Sequence, residues 1–504
     1  MKLKNKLFSA FLALFLVLTM VGGMTSTVGA EEETQFNVVL HKRHNLEDPG
    51  VTFPNTGEEM DFGGDALPGV EFTAYDVTEE YYAAIKGKDQ DAAIKAIQKL
   101  YTPVAPEGIT GVQSATTDAD GIATISNLDI KDVNGNYKVY VFVETKTPLE
   151  PTVMVKATPI VIAMPIYTLN QDGTNSDTVN NNIHLYPKNV TALDEKIFTN
   201  PGEFAVVDVN GEKYFNITTG SVLDFKVNLN IPTDISEKTE YSLTDNPTVG
   251  LEFFENSLKV NGLTVGEDYT FTENVDNGGF KISFNMKSEK FLKLAGSVLV
   301  VEYKMTLTAE VLPDELQSNK ATISVDNNPR TDLDTKTDPE NPEFPEIPEF
   351  FTNGHKFVKQ DAQTGNALEG AEFIVGNGKG EFAKFTVNLK GEYVFVSWTT
   401  KEEDATRLVS NDKGEFSVIG LTRGDYILKE TKAPSDKYVK IDGDIDFEVK
   451  DGYATSELQA VLNHPKGLLP STGGNGIYAY LSVGSVMMLG ALIWFKRSNK
   501  EVAQ

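Results

Sequence analysis

Gly424-Asp425-Tyr426-Ile427-Leu428-Lys429-Glu430-Thr431-Lys432-Ala433-Pro434 opens as an alternating apolar run behind a glycine and stops at a proline. Period-two alternation of this kind marks a β-strand with one buried face. The same pattern returns in Tyr137-Lys138-Val139-Tyr140-Val141-Phe142-Val143, in Val222 to Leu229 and in Ser297 to Tyr303. Many short strands separated by Gly, Asn and Asp turns predict an all-β chain built of sandwiches. One helix is expected, from Glu79 to Leu100, where Ala93, Ile94, Ile97 and Leu100 form an apolar stripe. Its expected role is an insertion that covers one face of the first sandwich.

Both termini read as targeting segments. Lys2, Lys4 and Lys6 precede an apolar run from Leu7 to Val21, and Val28-Gly29-Ala30 supplies small residues for cleavage. This is the pattern of a secretory signal peptide, residues 1–30. Near the other end, Leu469-Pro470-Ser471-Thr472-Gly473 stands before an apolar run from Ile477 to Phe495 and the basic Lys496, Arg497 and Lys500. At 1.5 Å per residue that run is long enough to cross roughly 30 Å of hydrocarbon. Positive charge after the span stays cytoplasmic, so the bulk of the chain is expected outside the cell. A protein with two membrane spans is the bland alternative, disfavoured because the first run is short and ends in small residues.

Composition suits an exported protein. There is no cysteine, so disulfides, thiolate chemistry and cysteine zinc sites are excluded. A net charge of −28 argues against nucleic acid as a partner, whose phosphates call for a basic face. The five histidines, His41, His44, His184, His355 and His464, form no metal-binding motif. No cofactor or metal is expected, and the Asp118-Ala119-Asp120-Gly121 element reads as a turn before it reads as a calcium loop. No nucleophile elbow or paired-carboxylate setting supports a surface enzyme.

Punctuation along the chain predicts three tandem sandwiches at 31–189, 190–328 and 351–466, with the sorting tail at 467–504. Between the last two, Pro339, Pro342, Pro345 and Pro348 alternate with acidic residues. Residues 329–350 are therefore expected to be an extended, semi-rigid linker.

Five motifs recur in order in the last segment: Lys359-Gln360-Asp361, Leu368 to Phe373, Gly414-Glu415-Phe416, Tyr426 to Pro434, and Val461-Leu462-Asn463. The set resembles the CnaB-type immunoglobulin-like domain of Gram-positive adhesins and pilins. The resemblance implies a spontaneous isopeptide bond between Lys359 and Asn463, with Glu430 as proton shuttle. Burial suits that chemistry, because desolvation lowers a lysine pKa and raises that of a carboxylic acid. Lys359 is then a neutral nucleophile and Glu430 a proton donor to the amide. In the first segment, Leu67 to Phe72, Asp118 to Gly121 and Val143 to Pro148 are similar, implying a triad of Lys42, Glu144 and Asn182, with Asn180 and Asn181 competing for the last role. The middle segment looks like a CnaA-type domain, with Lys196, Asp245 and Asn319, and with Asn327 or Asn328 as alternative acceptors.

Two further motifs concern assembly. Leu469 to Gly473 resembles the LPxTG sorting signal of Gram-positive surface proteins, which implies that a sortase cysteine cleaves Thr472-Gly473 and passes Thr472 to an amine. Tyr186-Pro187-Lys188-Asn189, behind Ile183 and Leu185, is similar to the pilin motif of sortase-assembled pili, although Val179 stands where the usual motif has tryptophan. The resemblance as a whole is to the major pilins. It implies a covalent homopolymer in which Thr472 of one subunit is linked to Lys188 of the next. The partners so implied are a pilin-specific and a housekeeping sortase, the peptidoglycan precursor, minor pilins and host surface molecules. A wall-anchored monomeric adhesin of the same architecture is the alternative.

Overall fold

The computed structural model describes residues 34–46, 56–102, 104–275, 277–329, 332–337, 343–467 and 475–501. The signal peptide expected at 1–30 and the Leu469 to Gly473 motif lie outside the described residues. The chain is nearly all β, and it separates into two compact units, residues 1–147 with 156–189 and residues 148–155 with 190–504.

In the first unit, Gln35–His41 runs parallel to Asn182–Leu185 on one side and antiparallel to Ile122–Asp129 on the other. A second sheet orders Gln113–Thr116, Glu71–Asp76, Val139–Lys146 and Ile160–Ala163. Val139 through Val143 are all buried, although a half-buried strand would expose alternate residues. Both faces of this strand are covered. Val139, Val141 and Val143 pack against Ala93, Ile97 and Tyr101 of the helical insertion. On the other face Tyr140 meets Phe36 of the facing sheet edge-on, with ring centroids 5.8 Å apart. The insertion is two helices, Thr78–Ala84 and Gln90–Leu100, where one was expected. The break falls at Gly87, whose φ is +73°, and Asp89 starts the second helix by accepting the Ala92 N–H at 2.7 Å.

The second unit contains two large sheet systems and a small three-stranded sheet of Ala205–Val209, Glu212–Asn216 and Phe350–Phe351. The first has the strand order Leu251–Phe253, Val298–Leu307, Val222–Asn230, Glu195–Phe198, Leu333–Thr337, Asn319–Val325, Tyr241–Pro247, Gly279–Phe284 and Tyr269–Val275. Leu333–Thr337 falls inside the expected linker, and this corrects the linker assignment. It pairs parallel with Glu195–Phe198 and antiparallel with Asn319–Val325. Its alternation is carried by Thr335 and Thr337, both buried, so apolar periodicity could not reveal it. The last residue of the expected linker, Phe350, is also buried; its ring lies 5.1 Å from Phe198 and 5.7 Å from Phe215.

The other sheet system orders Asp444–Val449, Gly424–Lys432, Glu372–Gly376, Phe382–Val387, Tyr393–Thr399, Glu415–Leu421, Asn353–Asp361 and Gln459–Asn463. A polar junction joins the two systems within this unit. The Asp314 carboxylate accepts from Asn353 Nδ2 and from the Tyr453 N–H, each at 2.6 Å. Asn216 Oδ1 accepts the Arg423 N–H at 2.6 Å. Buried donors and acceptors of this kind cost free energy if left unpaired, which ties the two sheet systems together. Beyond them lies the helix Asn475–Glu501, in which Tyr478–Arg497 has the length and mean hydropathy, 1.6, to cross a membrane.

Candidate functional site

Lys359 is fully buried near the end of Asn353–Asp361. Its backbone is clasped by motif elements: its N–H donates to the Gly414 carbonyl at 2.7 Å, and its own carbonyl accepts from the Leu368 N–H at 2.9 Å. Gly414 has φ +72°, and a Cβ there would lie 2.4 Å from the Lys359 carbonyl oxygen. Only glycine fits both demands. In the first unit, Lys42 N–H donates to the Gly121 carbonyl at 2.7 Å, and a Cβ on Gly121 would lie 2.5 Å from the Lys42 oxygen. The glycine of each turn motif is therefore the backbone support of the lysine.

The phenylalanine and glutamate motifs have a matching geometry. Phe373 lies opposite Glu430 in the strand register, and Phe72 lies opposite Glu144, each beside a β-bulge. Lys359 Nζ sits 5.6 Å from the Phe373 ring centroid and Lys42 Nζ 5.5 Å from that of Phe72. Each buried lysine Nζ thus faces an aromatic ring.

Around Lys359, the Glu430 carboxylate is 3.4 Å from Nζ. Glu430 Oε2 accepts from Asn463 Nδ2 at 3.1 Å and from the Ile441 N–H at 2.6 Å. Asn463 Nδ2 also donates to the Val439 carbonyl at 2.6 Å. Lys359 Nζ, Glu430 Oε1 and Asn463 Oδ1 make no hydrogen bond although all three are buried. Burial pulls the lysine from its ordinary 10.5 down to about 8, against the opposing pull of Glu430. A buried amine whose carboxylate neighbour stands off at 3.4 Å, beside an amide whose oxygen has no donor, is a reactive arrangement.

In the middle sheet system, Lys196 Nζ donates to Asp245 Oδ1 at 2.7 Å and to the Lys320 carbonyl at 2.8 Å. Burial lowers its pKa to about 8, again against the attraction of the neighbouring carboxylate, Asp245. Asn319 is buried and reaches this cluster through Tyr303, whose hydroxyl accepts from Asn319 Nδ2 at 3.4 Å and donates to Asp245 Oδ1. Burial and the Asp245 charge push the Tyr303 phenol well above its usual range. Sequence reasoning missed Tyr303; its inward place in the alternation of Val298–Leu307 was the available signal. The alternative acceptors Asn327 and Asn328 are both exposed.

Lys42 meets Glu144 Oε2 at 2.8 Å and hydrogen-bonds to Asn189 Oδ1, not to Asn182. Asn189 Nδ2 donates to Glu144 Oε1 at 2.7 Å, and the Ala157 N–H donates to Asn189 Oδ1 at 2.7 Å. Burial lowers the Lys42 pKa here too, Glu144 opposing. Strand register corrects the expectation for Asn182. Asn182 lies opposite Asn37, five residues before Lys42 and roughly 16 Å along an extended strand. It is exposed and bonds to His184 at 2.9 Å. Leu40 lies opposite Leu185, so continuing the register brings Lys42 level with Pro187, and Asn189 is two residues farther on. In the last sheet Lys359 lies opposite Val461, and Asn463 is likewise two residues farther on. The available signal was the adjacency of Asn189 to Lys188, since neighbours in a strand face opposite ways, but it does not set the register of the two strands.

Lys188 opens the strand Lys188–Ala192, whose burial alternates from Lys188, half-buried, to Asn189, buried. Its Nζ lies 4.8 Å from the Phe62 ring centroid. Beside it runs a groove of about 460 Å³ lined by Phe62, Ile94, Gln98, residues 157–161, Tyr186 and Pro187. Among the described residues no cluster of three or more His, Cys, Asp or Glu is arranged to hold a metal. The Asp118 carboxylate instead caps its own turn, accepting from Asp120 N–H at 3.0 Å and Ile122 N–H at 2.9 Å.

Three family models match the chain. Residues 33–190 match a Gram-positive pilin subunit D1, N-terminal domain; residues 353–461 match a prealbumin-like fold domain; residues 462–502 match an LPXTG cell wall anchor motif. No curated protein matches the chain in sequence. Among solved structures, the full-length RrgB pilus protein of Streptococcus pneumoniae is similar at a TM-score of 0.51 and 17% identity, covering 87% of this chain and 99% of that one. The major pilin SpaD of Corynebacterium diphtheriae aligns at 0.42 and 20% identity, over 86% and 98% of the two chains. BcpA, the major pilin subunit of Bacillus cereus, aligns at 0.43 and 18% identity, over 86% and 99%. The chain therefore carries a Gram-positive pilin N-terminal domain, a prealbumin-like domain and an LPXTG anchor motif, which assigns it to the cell-wall surface.

Proposed function

We propose that this chain is the backbone subunit of a covalent surface fibre. A sortase cleaves Thr472-Gly473 and transfers the Thr472 carbonyl to the Lys188 amine of the next subunit. The reading is carried by one observation: adjacent residues of one strand face opposite environments, Asn189 in a sealed triad and Lys188 beside a groove. An amine that must meet an enzyme-bound thioester needs that access. Peptide mapping of proteolysed wall extracts is expected to yield a branched peptide joining Thr472 to Lys188. Unbranched Lys188 peptides in fibres of high mass exclude the assignment, and a wall-anchored monomer would give Thr472 joined only to peptidoglycan.

Each triad is proposed to make an intramolecular amide: Lys42 with Asn189, Lys196 with Asn319, Lys359 with Asn463. The neutral lysine Nζ attacks the asparagine Cγ. As the Nζ–Cγ bond forms, the Cγ–Nδ2 bond breaks, and the carboxyl of Glu144, Asp245 or Glu430 carries one proton from Nζ to the departing ammonia. Fixed contact replaces an encounter, with an effective molarity of order 10⁵ M or more. In the first unit the Ala157 N–H polarises the amide carbonyl, a role otherwise taken by an oxyanion-hole donor. Each bond releases ammonia, about 17 Da. Asn189→Ala is expected to retain about 17 Da in the intact mass, after allowing for the substitution, whereas Asn182→Ala loses as much as the parent. An equal deficit in the parent and in Asn189→Ala excludes the Lys42 to Asn189 bond.

A further inference from the structure

Three rings, His41, Tyr186 and Phe62, form a stack that ends under the Lys188 amine, and His184 meets His41 edge to edge. The centroids of His184 and His41 are 5.1 Å apart, those of His41 and Tyr186 4.7 Å, and those of Tyr186 and Phe62 5.0 Å, with interplanar angles of 24°, 15° and 18°. Lys188 Nζ follows at 4.8 Å from Phe62. The Tyr186 hydroxyl accepts the Met60 N–H at 2.6 Å, which ties the Phe62 segment to the strand. At the far end of the stack, His41 Nε2 and His184 Nδ1 are 2.8 Å apart.

We propose that His41 and His184 are positioning residues for Lys188, and that the pair makes transfer onto Lys188 sensitive to acid. This rests on the reading of Lys188 as the acceptor. Two nitrogens 2.8 Å apart share one proton. With both rings neutral, every contact is satisfied: Asn182 Nδ2 donates to His184 Nε2, and His184 Nδ1 donates to His41 Nε2. A proton added to His41 Nε2 sets an N–H against the His184 N–H, and the rings must part.

The surroundings oppose charge. Burial, His184 and Arg43 lower the His41 pKa, and Glu59 alone opposes them; Tyr186 and Lys188 complete the ionisable groups along the stack. A histidine whose pKa is lower in the fold than in the unfolded chain supports the fold above its ordinary value of about 6.5 and loses that support as the pH falls through the lowered value. Separation of the imidazoles withdraws the platform under Tyr186 and Phe62, and the amine loses its fixed position beside the groove.

The test uses the full chain in detergent as acceptor, a pilin-type sortase, and a peptide carrying the Leu469 to Gly473 sequence as donor. Comparing His184→Asn with the parent cancels the pH dependence of the enzyme. The ratio of variant to parent transfer rate is expected to rise about threefold or more between about pH 7.5 and about pH 5. A constant ratio with product mapped to Lys188 overturns the proposal and spares the assignment of Lys188. Product mapped to a different lysine overturns both. If His184→Asn does not fold, exchange of the Met60 amide in the parent decides. Its protection, corrected for intrinsic exchange, is expected to fall about tenfold over the same range, and unchanged protection overturns the proposal.

Discussion

Lys188→Arg is expected to abolish the high-mass ladder in wall extracts and leave one anchored monomer band. Arginine keeps the positive charge, and its guanidinium can still lie over the Phe62 ring, so packing at the strand end is preserved. It cannot supply a neutral nucleophile, because its pKa stays above about 12. The effect should therefore be complete loss of polymer without loss of fold. The monomer band persists because Thr472 can still be passed to the peptidoglycan amine. Lys88→Arg, at an exposed position, provides the matched control and should leave the ladder intact. A ladder of unchanged length in Lys188→Arg removes Lys188 from the assembly reaction.

Glu430→Ala is expected to produce the largest change in stability. Without a proton shuttle the Lys359 to Asn463 bond does not form, and the intact mass retains about 17 Da after allowing for the substitution. The bond closes a loop of about 100 residues, and a cross-link of that span contributes about 4 to 5 kcal/mol by restricting the unfolded chain. Losing it should lower the Tm of the last sheet system by roughly 20 °C. A parent whose intact mass shows no loss of about 17 Da would exclude the bond, and an equal loss in Glu430→Ala would exclude Glu430 as its shuttle. The parent should also show a defined pH profile for bond formation in freshly synthesised chain. Because burial holds the Lys359 pKa near 8, the neutral amine, and with it the rate of ammonia loss, should rise about tenfold per pH unit below that value and level off above it. An ordinary lysine would level off near 10.5, about two and a half pH units higher.

The same shift has a consequence for the unreacted chain. Between about 8 and 10.5 the unfolded lysine binds the proton that the folded one has lost, so the unreacted fold gains stability as pH rises and loses it as pH falls towards 8. Amide formation removes the titrating group. The proposed cross-link would thus replace a buried amine that destabilises the fold at neutral pH with a neutral linkage.

Most of the architecture was legible because it is carried by local patterns. Alternation in Val222–Asn230 and Gly424–Lys432, and the turn glycines Gly121 and Gly414, need only a few neighbouring residues to be read. The motif set around Lys359 was legible for the same reason, since each element is a short run whose role is to hold one backbone or one ring. Leu333–Thr337 was not legible. Its inward residues are threonines, and their burial depends on Asn319 and Lys196, far away in the chain; Thr335 Oγ1 donates to the Asn319 carbonyl. Proline and acidic residues on either side made the segment look like a linker.

The acceptor for Lys42 marks the same boundary more sharply. Residue types and order determined by themselves that this is an exported, cysteine-free, β-rich chain whose buried lysines lie near carboxylates and asparagines, and that Lys188 follows a strand. Which asparagine meets Lys42 depended on the register of two parallel strands separated by more than a hundred residues. A parallel pair has no connecting turn to set its register, and the choice among Asn180, Asn181, Asn182 and Asn189 was left to tertiary packing. That packing seals Asn189 against Glu144 and leaves Asn182 at the surface, holding the histidine that meets the stack ending at Lys188.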